Sequence, residues 1–337
     1  MILVTGGTGM LGSNLLLELT YDNSDIIALK RNSSSLSNVK KLFSRHNSSL
    51  NLKKIQWIDA DLIDYYRLSD VFKEYGISKV YHCAAQISYK KSDNELLLEN
   101  NVTSTKNIVD LSLQYKINKM CYVSSIATLG AGTDSNKITE KTEYNTDGNN
   151  SGYSISKYYA ELEVWRGVAE GLNAVIINPS VILGSGDWKT GSSSIFSTIN
   201  NGLKFYTKGI TGFVDVIDVA KIMKLLMESE ITAERFIINS ENISYLELFK
   251  SIADKLNKKA PSIYANKYIT AFAWRLEYVK SILIGSQPVI TSNSARTSHK
   301  SLLYSNKKLL ENIDYTFIKV EDSIKYYGEV FISDTNA

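Results

Sequence analysis

Met1-Ile-Leu-Val-Thr-Gly-Gly-Thr-Gly-Met-Leu-Gly12 reads as a buried strand, a glycine turn and the first turn of a helix. Gly6, Gly9 and Gly12 fit GxxGxxG, while Gly7, Gly9 and Gly12 fit GxGxxG, so the pattern leaves both variants open. The physical demand is the same in each. Glycine allows a tight turn with positive φ and removes the side chains that would hold a pyrophosphate away from the backbone. The helix start then offers free N–H groups and a partial positive charge. These glycines, with Thr5, Thr8, Met10 and Leu11, are the first predicted contacts of a dinucleotide.

Outward from this loop, short apolar runs alternate with helical patterns. Ile2–Thr5, Ile26–Leu29, Ile55–Ile58, Val80–Cys83, Met120–Ser124 and Ala174–Asn178 read as strands. Leu11–Tyr21, Tyr65–Tyr75, Leu96–Tyr115 and Tyr153–Gly171 read as helices between them. Strands without polar alternation are buried on both faces, so the fold class is α/β, a doubly wound Rossmann parallel sheet. Residues 1–184 are read as the dinucleotide-binding domain. After about 185 helical stretches dominate, with one short strand at Arg235–Ile238. Residues 185–337 are read as a smaller, mostly helical substrate-binding part, with about 213–240 able to pack back on the first domain.

Composition narrows the function. Lys+Arg is 38 against 35 Asp+Glu in 337 residues, a net charge of +3, too balanced for a nucleic-acid binder. Cys83 and Cys121 sit in apolar runs and read as buried free thiols. His46, His82 and His299 are far apart and form no metal-ligand spacing. His82 reads as a packed strand residue. Tyr268–Gly285 is too short and too charged to span a membrane, and no signal peptide precedes the first strand. No membrane partner and a cytoplasmic location are expected. The aromatic stripe Tyr268, Phe272, Trp274 and Tyr278 reads first as a core-facing face and second as a cover over an apolar substrate.

The second strand ends in Lys30 and Arg31, where an NAD enzyme would usually set an acid for the ribose hydroxyl. Two cations suit a 2′-phosphate, so NADP(H) is the expected cofactor, with NAD(H) possible. Tyr153-Ser-Ile-Ser-Lys157 puts a phenol and an ammonium on one helix face. The cation favours phenolate and tunes Tyr153 for proton exchange near neutral pH. Ser124 and Ser125 stand where a strand ends, at the ligand edge of a parallel sheet. A hydroxyl there can stabilise negative charge developing on a carbonyl oxygen. Asp215 and Asp218 read as helix-start acids rather than a catalytic pair.

Taken in order, the Thr5–Gly12 loop, Asp61-Leu62, His82-Cys83-Ala84-Ala85, Asn101-Val-Thr-Ser-Thr105, Ser124-Ser125, Tyr153…Lys157 and Asn178-Pro179-Ser180 resemble the extended short-chain dehydrogenase/reductases, the NAD-dependent epimerase/dehydratase group. The resemblance covers at least residues 1 to about 225. It implies that Tyr153 is the general acid/base and that Lys157 binds the nicotinamide ribose and lowers the Tyr153 pKa. It implies that Ser125, five residues before Gly130, polarises the carbonyl, with Ser124 as the alternative. Asp61 and Leu62 would meet the adenine, and Ala84 and Ala85 would line the cofactor. Asn101 matches the family's NVxGT asparagine and joins the catalytic set. Asn178, Pro179 and Ser180 would sit beside the nicotinamide, with Asn178 in place of the commoner arginine. Two departures stand out: Ser104 replaces a glycine, and no arginine precedes Phe213–Val214, where sugar-nucleotide enzymes commonly grip a diphosphate. Pro179–Trp188 and Gly212–Ala220 look like the dihydroflavonol 4-reductase subgroup. The implied activity is reduction of an aldehyde or ketone on a small, apolar carbonyl substrate by hydride transfer. The alternatives are a sugar-nucleotide epimerase or dehydratase, a 3β-hydroxysteroid-type dehydrogenase and a non-catalytic dinucleotide sensor. A homodimer is possible, and the charged face Glu161, Glu163, Arg166 does not decide it.

Overall fold

The computed structural model describes residues 1–336 apart from 23–24, 89, 131–136, 147–149 and 285–291. The strands run β1 Ile2–Thr5, β2 Ile26–Lys30, β3 Ile55–Asp59, β4 Lys79–His82, β5 Lys119–Val123 and β6 Ala174–Pro179. They continue as β7 Val181–Leu183, β8 Phe205–Tyr206, β9 Ile210–Asp215, β10 Glu234–Ile238, β11 Glu241–Ser244 and β12 Ile263–Tyr264. The helices begin α1 Met10–Thr20, α2 Ser37–Arg45, α3 Tyr65–Tyr75, α4 Asn94–Gln114, α5 Gly152–Ala169 and α6 Ser194–Asn200. Then come α7 Val216–Glu228, α8 Tyr245–Lys255, α9 Lys267–Ile284, α10 Ser292–Thr297, α11 Lys307–Asn312 and α12 Val320–Asn336.

Seven strands form one sheet in the order β10-β6-β5-β4-β1-β2-β3. Every pairing in it is parallel. From β1 the chain winds first to β2 and β3, then returns to β4 on the other side. That reversal opens a crevice between the C-terminal ends of β1 and β4, where open α/β sheets take their ligands. Helices α1 and α7 pack together on one face and α4 and α5 on the other. The inner strands β1, β2, β4, β5 and β6 are buried from both sides and are mostly apolar, while the edge strand β3 leaves Gln56 and Asp59 exposed.

The region after 185 holds more strand than its sequence suggests. Strands β7, β9 and β11 form a second sheet, β9 parallel to β7 and antiparallel to β11. Strands β8 and β12 form a two-residue pair. Strand β10 completes the large sheet beside β6. Asp215 caps α7, its carboxylate accepting the Ile217 N–H at 2.8 Å. It also takes Ser323 Oγ at 2.5 Å and the Tyr327 hydroxyl at 2.9 Å, while Asp218 takes the Tyr315 hydroxyl at 2.8 Å and the Ile318 N–H at 3.0 Å. Both acids thus dock the C-terminal segment, in keeping with the helix-start reading. Among the described residues, no helix is long and apolar enough to cross a membrane.

Candidate active site

The glycine loop closes against the segment that leaves β4. Gly6 has φ +69°, and a Cβ there would lie 2.7 Å from the Ala84 nitrogen. A Cβ on Gly12 would lie 2.2 Å from the Gly6 oxygen. These two positions require glycine, one for its conformation and one for the close approach of helix to loop. A cavity of about 530 Å3 opens beside them. Gly6, Thr8 and Gly9 form its floor, Lys30, Arg31, Asp61 and Leu62 one end, and Cys83, Ala84, Ala85, Asn101 and Ser104 a wall. Its size, its glycine floor and the free N–H groups at the start of α1 fit a dinucleotide. Asn178 Oδ1, near the C-terminal end of β6, and Ser180 Oγ, just past it, are buried polar atoms with no protein partner.

Several residues stand differently from their sequence reading. Cys83 lies just past β4, where the chain leaves the sheet, and is partly exposed on the cavity wall instead of sealed in a strand. Burial of its sulfur pushes the thiol up to about 12, so it stays protonated. Cys121 is buried as expected. Lys30 is ion-paired to Asp59, which the β2–β3 register sets directly opposite. Arg31 is exposed at the cavity rim, and among the described residues no carboxylate pairs with it. Asp61 accepts the Ile63 N–H at 3.2 Å, while the cap of α3 is Asp64. Ser104 turns its hydroxyl back to the Asn100 carbonyl at 2.5 Å. On α9, Tyr268 is 86% and Phe272 65% exposed, so that stripe does not face the core. Trp274 lines a cavity there, and the Tyr278 side chain lies outside the described residues.

Asn101 works as a strut. Its oxygen accepts the Gln86 N–H at 2.7 Å, and its amide donates to the Gln86 carbonyl at 3.0 Å and to Ser156 Oγ at 2.9 Å. The amide ties the wall of the cavity to α5. The start of α5 is set by Ser151, whose hydroxyl caps the Ser154 N–H at 3.1 Å. Ser154 Oγ in turn donates to the Ala127 carbonyl at 2.7 Å. Tyr153, half-buried, and Lys157 project from this first stretch of the helix.

Lys157 is almost wholly buried at 1% exposure. Its ammonium donates to the Tyr122 hydroxyl at 2.7 Å and to the Val123 carbonyl at 2.8 Å. Desolvation lowers it to about 7, with the nearby Glu161 charge working the other way. Tyr122 is pushed well above the ordinary phenol range by the same burial.

The two serines differ. Ser124 is buried and donates to Glu161 Oε2 at 2.5 Å. Ser125 Oγ accepts the Ala127 N–H at 3.1 Å, which leaves its own proton available to a ligand. Glu161, read from the sequence only as part of a charged face with Glu163 and Arg166, is a buried hub. Besides Ser124 it receives Thr128 Oγ1 at 2.9 Å, Asn178 Nδ2 at 3.0 Å and Arg235 Nη1 at 3.0 Å. The guanidinium missing at position 178 is thus supplied from β10. Sequence reading overlooked Glu161 and Arg235. The one available signal was that Tyr153, Lys157 and Glu161 recur every four residues.

A second cavity, about 380 Å3, is lined by Ile126 and Ala127, which follow Ser125 in the chain, and by Ser151 and Ser154 around the start of α5; Ser125, Tyr153 and Lys157 are not among its lining residues. Its walls include Ile126, Leu129, Tyr144, Tyr245 and Tyr304, with Arg296 and Lys300 at one side. Those two cations are shared with a third cavity of about 390 Å3 that also carries Lys267, Arg275 and His299. No carboxylate lines either one among the described residues.

Comparison with known proteins agrees with this geometry. The family described as "NAD dependent epimerase/dehydratase family" matches residues 2–239. A Synechocystis protein provisionally named a dihydroflavonol 4-reductase is 28% identical over 318 residues, 92% of this chain and 88% of its own length. The crystal structure of gox2253 superposes with a TM-score of 0.80 at 26% identity, covering 96% of each chain. The UDP-glucose 4-epimerase of Thermotoga maritima, solved with UDP-glucose, superposes with a TM-score of 0.78 at 18% identity over 99% of each chain.

Proposed function

The chain belongs to the NAD-dependent epimerase/dehydratase family, the extended short-chain dehydrogenase/reductase type of NAD(P)-dependent enzyme, and on that footing we propose that it reduces an aldehyde or ketone to an alcohol with NADP(H). The observation that carries the reading is the grouping on one helix and one strand end: Tyr153 and Lys157 on α5, and a Ser125 hydroxyl with its proton unspent. When bound, the nicotinamide supplies the hydride to the carbonyl carbon. Ser125 donates a hydrogen bond to the carbonyl oxygen as negative charge grows there. Tyr153 gives that oxygen its proton, and the Lys157 ammonium stabilises the phenolate left behind. Arg31 would meet the 2′-phosphate, and Thr5–Gly12 would cradle the pyrophosphate. The substrate pocket is built jointly, with Tyr245, Arg296, Lys300 and Tyr304 from residues 185–337 facing Ile126, Leu129 and Tyr144 from the first domain. Its aliphatic and aromatic wall suits a small apolar carbonyl compound. Similarity along 92% of the chain to a protein bearing a reductase name supports this reading over the others.

A second reading, a sugar-nucleotide epimerase, is favoured by one observation. Arg296, Lys300, Lys267 and Arg275 line adjoining cavities that hold no carboxylate, a setting that suits a diphosphate. The two readings separate in a single experiment. Purified protein is offered NADPH with a panel of aliphatic and aromatic aldehydes and ketones, and in parallel NAD⁺ with UDP-glucose. NADPH oxidation that vanishes in Tyr153→Phe, while that variant still binds NADPH, supports the reductase. Interconversion of the UDP-sugar with no aldehyde turnover moves the epimerase to first place.

A further inference from the structure

A catalytic lysine is useful only if its ammonium is aimed and kept charged in a dry site. Here Lys157 has no carboxylate in contact among the described residues. Its two fixed partners are the Tyr122 hydroxyl and the Val123 carbonyl. The ammonium also lies 4.3 Å from the centroid of the Tyr122 ring. One strand residue, buried and remote from the substrate cavity, therefore supplies a hydrogen-bond acceptor and a π face to the same cation.

Tyr122 is itself held rigidly. Its ring stacks on His82, with centroids 5.5 Å apart and planes 29° apart. His82 is fixed in turn by Thr5 Oγ1 at 2.7 Å and Thr105 Oγ1 at 3.1 Å. The direction of each bond follows from counting protons. Thr105 Oγ1 donates to the Asn101 carbonyl at 2.8 Å, so it must accept from His82 Nε2. His82 Nδ1 is then the acceptor and takes the Thr5 hydroxyl, whose oxygen receives the Ala84 N–H at 3.2 Å. Burial together with the Lys157 charge lowers His82 to about 3, so the ring is neutral, and the Thr105 bond then places its one proton on Nε2. A neutral, immobile imidazole makes a stable platform for the Tyr122 ring.

We propose that Tyr122 is a positioning residue whose hydroxyl aims the Lys157 ammonium and sustains its charge beside Tyr153. This rests on the reading of Tyr153 and Lys157 given above. Other groups bear on the same cation: Glu161 from α5, Cys83 from the cavity wall, and His82 behind the Tyr122 ring. Glu161 and Cys83 act through space only, so the phenol is the contact whose loss the ammonium would feel most directly.

The test is Tyr122→Phe, which keeps the ring, the His82 stack and the cation–π contact and deletes only the acceptor oxygen. Lys157 is followed in the cofactor-free protein by carbon-13 NMR of labelled lysine side chains, assigned with Lys157→Met. Its titration midpoint is expected to fall by roughly half a pH unit or more when a hydrogen bond to the charged form is lost. In alcohol oxidation with benzyl alcohol and NADP⁺, the acid limb of kcat/KM is expected to move to higher pH, since a less charged Lys157 raises Tyr153. An unchanged Lys157 midpoint with an unchanged limb overturns the proposal. Should Tyr122→Phe fail to fold, 3-fluorotyrosine at 122 keeps the shape and weakens the acceptor. The Lys157 midpoint must then fall by a smaller amount, and no fall overturns the proposal. Tyr153→Phe is measured alongside: if it retains turnover, the catalytic reading itself is wrong, whatever Lys157 does.

Discussion

Removing the Arg235 guanidinium should leave a charge buried without its counter-ion, and that makes Arg235→Met an informative perturbation. The Glu161 side chain is only 3% exposed, while that of Arg235 is 23% exposed. Arg235 also donates through Nε to the Glu140 carbonyl at 2.9 Å, so the variant loses an ion pair and a hydrogen bond together. Breaking a buried pair by deleting one partner costs about 3–5 kcal/mol, and the partial exposure of Arg235 argues for the lower end, about 3 kcal/mol. In a chain of this size that corresponds to a fall in Tm of roughly 4 °C. Glu161→Gln should cost less. Arg235 can then turn to water and keep Glu140, whereas a stranded Glu161 carboxylate cannot reach solvent. The decisive measurement is a double-mutant cycle by thermal unfolding. Arg235→Met/Glu161→Gln should melt above Arg235→Met alone, since the second substitution removes the uncompensated charge. If the double variant melts lower, by the sum of the two single losses, buried charge is not what Arg235 compensates and the reasoning fails.

Two further outcomes follow from the site and its surroundings. Arg31→Ala should weaken NADPH binding about tenfold or more, about 1.4 kcal/mol, and leave NADH within a factor of two in fluorescence titrations; Lys30→Ala should affect the preference less, because Asp59 already balances that charge, and equal loss for both cofactors would remove Arg31 from the phosphate site. Asp218 is raised to about 6 by burial, above its unfolded value of 3.8, so the folded chain binds the extra proton between those values and this group's contribution is present below about pH 4 and lost by about pH 6. Asp218→Asn lacks that dependence, so its urea stability relative to the parent should improve by up to about 3 kcal/mol between pH 4 and pH 7; a constant difference across that range would refute it.

How far the sequence announced all this depended on what each residue faces. Strands β1 to β6 were legible because short runs rich in Ile, Val and aromatic residues, mostly buried, recur between helical stretches; even the edge strand β3, with Gln56 and Asp59 exposed, keeps Ile55, Trp57 and Ile58, and all six bounds fall within a residue or so of the reading. Strands β7, β9 and β11 were not, because three to six residues on the margin of a core carry no period long enough to see. Helix α2 hid behind Asn32–Ser37, since only Val39, Leu42 and Phe43 mark its buried side. The basic pair at the end of β2 looked like two equal cations. Only the pairing of strands, 29 residues apart, sets Asp59 against one of them. Glu161 is the same lesson in a helix. Beside Glu163 and Arg166 it reads as surface, and its burial is decided by Arg235, which stands 74 residues downstream.

The stripe on α5 explains why these distant residues matter to the chemistry. Tyr153, Lys157 and Glu161 follow one another at intervals of four, and exposure falls from half-buried at Tyr153 to 1% and 2% at the next two. The first is the proposed proton donor. The second is gripped by β5 through Tyr122 and Val123. The third gathers the ends of β5, β6 and β10 through Ser124, Asn178 and Arg235. A helix pinned at its second and third points cannot rotate to improve the first, so Tyr122, Val123, Ser124, Asn178 and Arg235 together fix where Tyr153 stands. Asn178 also donates to the Ser125 carbonyl at 3.1 Å, which couples the Glu161 hub to the serine. Weakening the hub should therefore lower kcat before it changes KM, because the cavity walls at Tyr245 and Tyr304 belong to other elements and stay where they are.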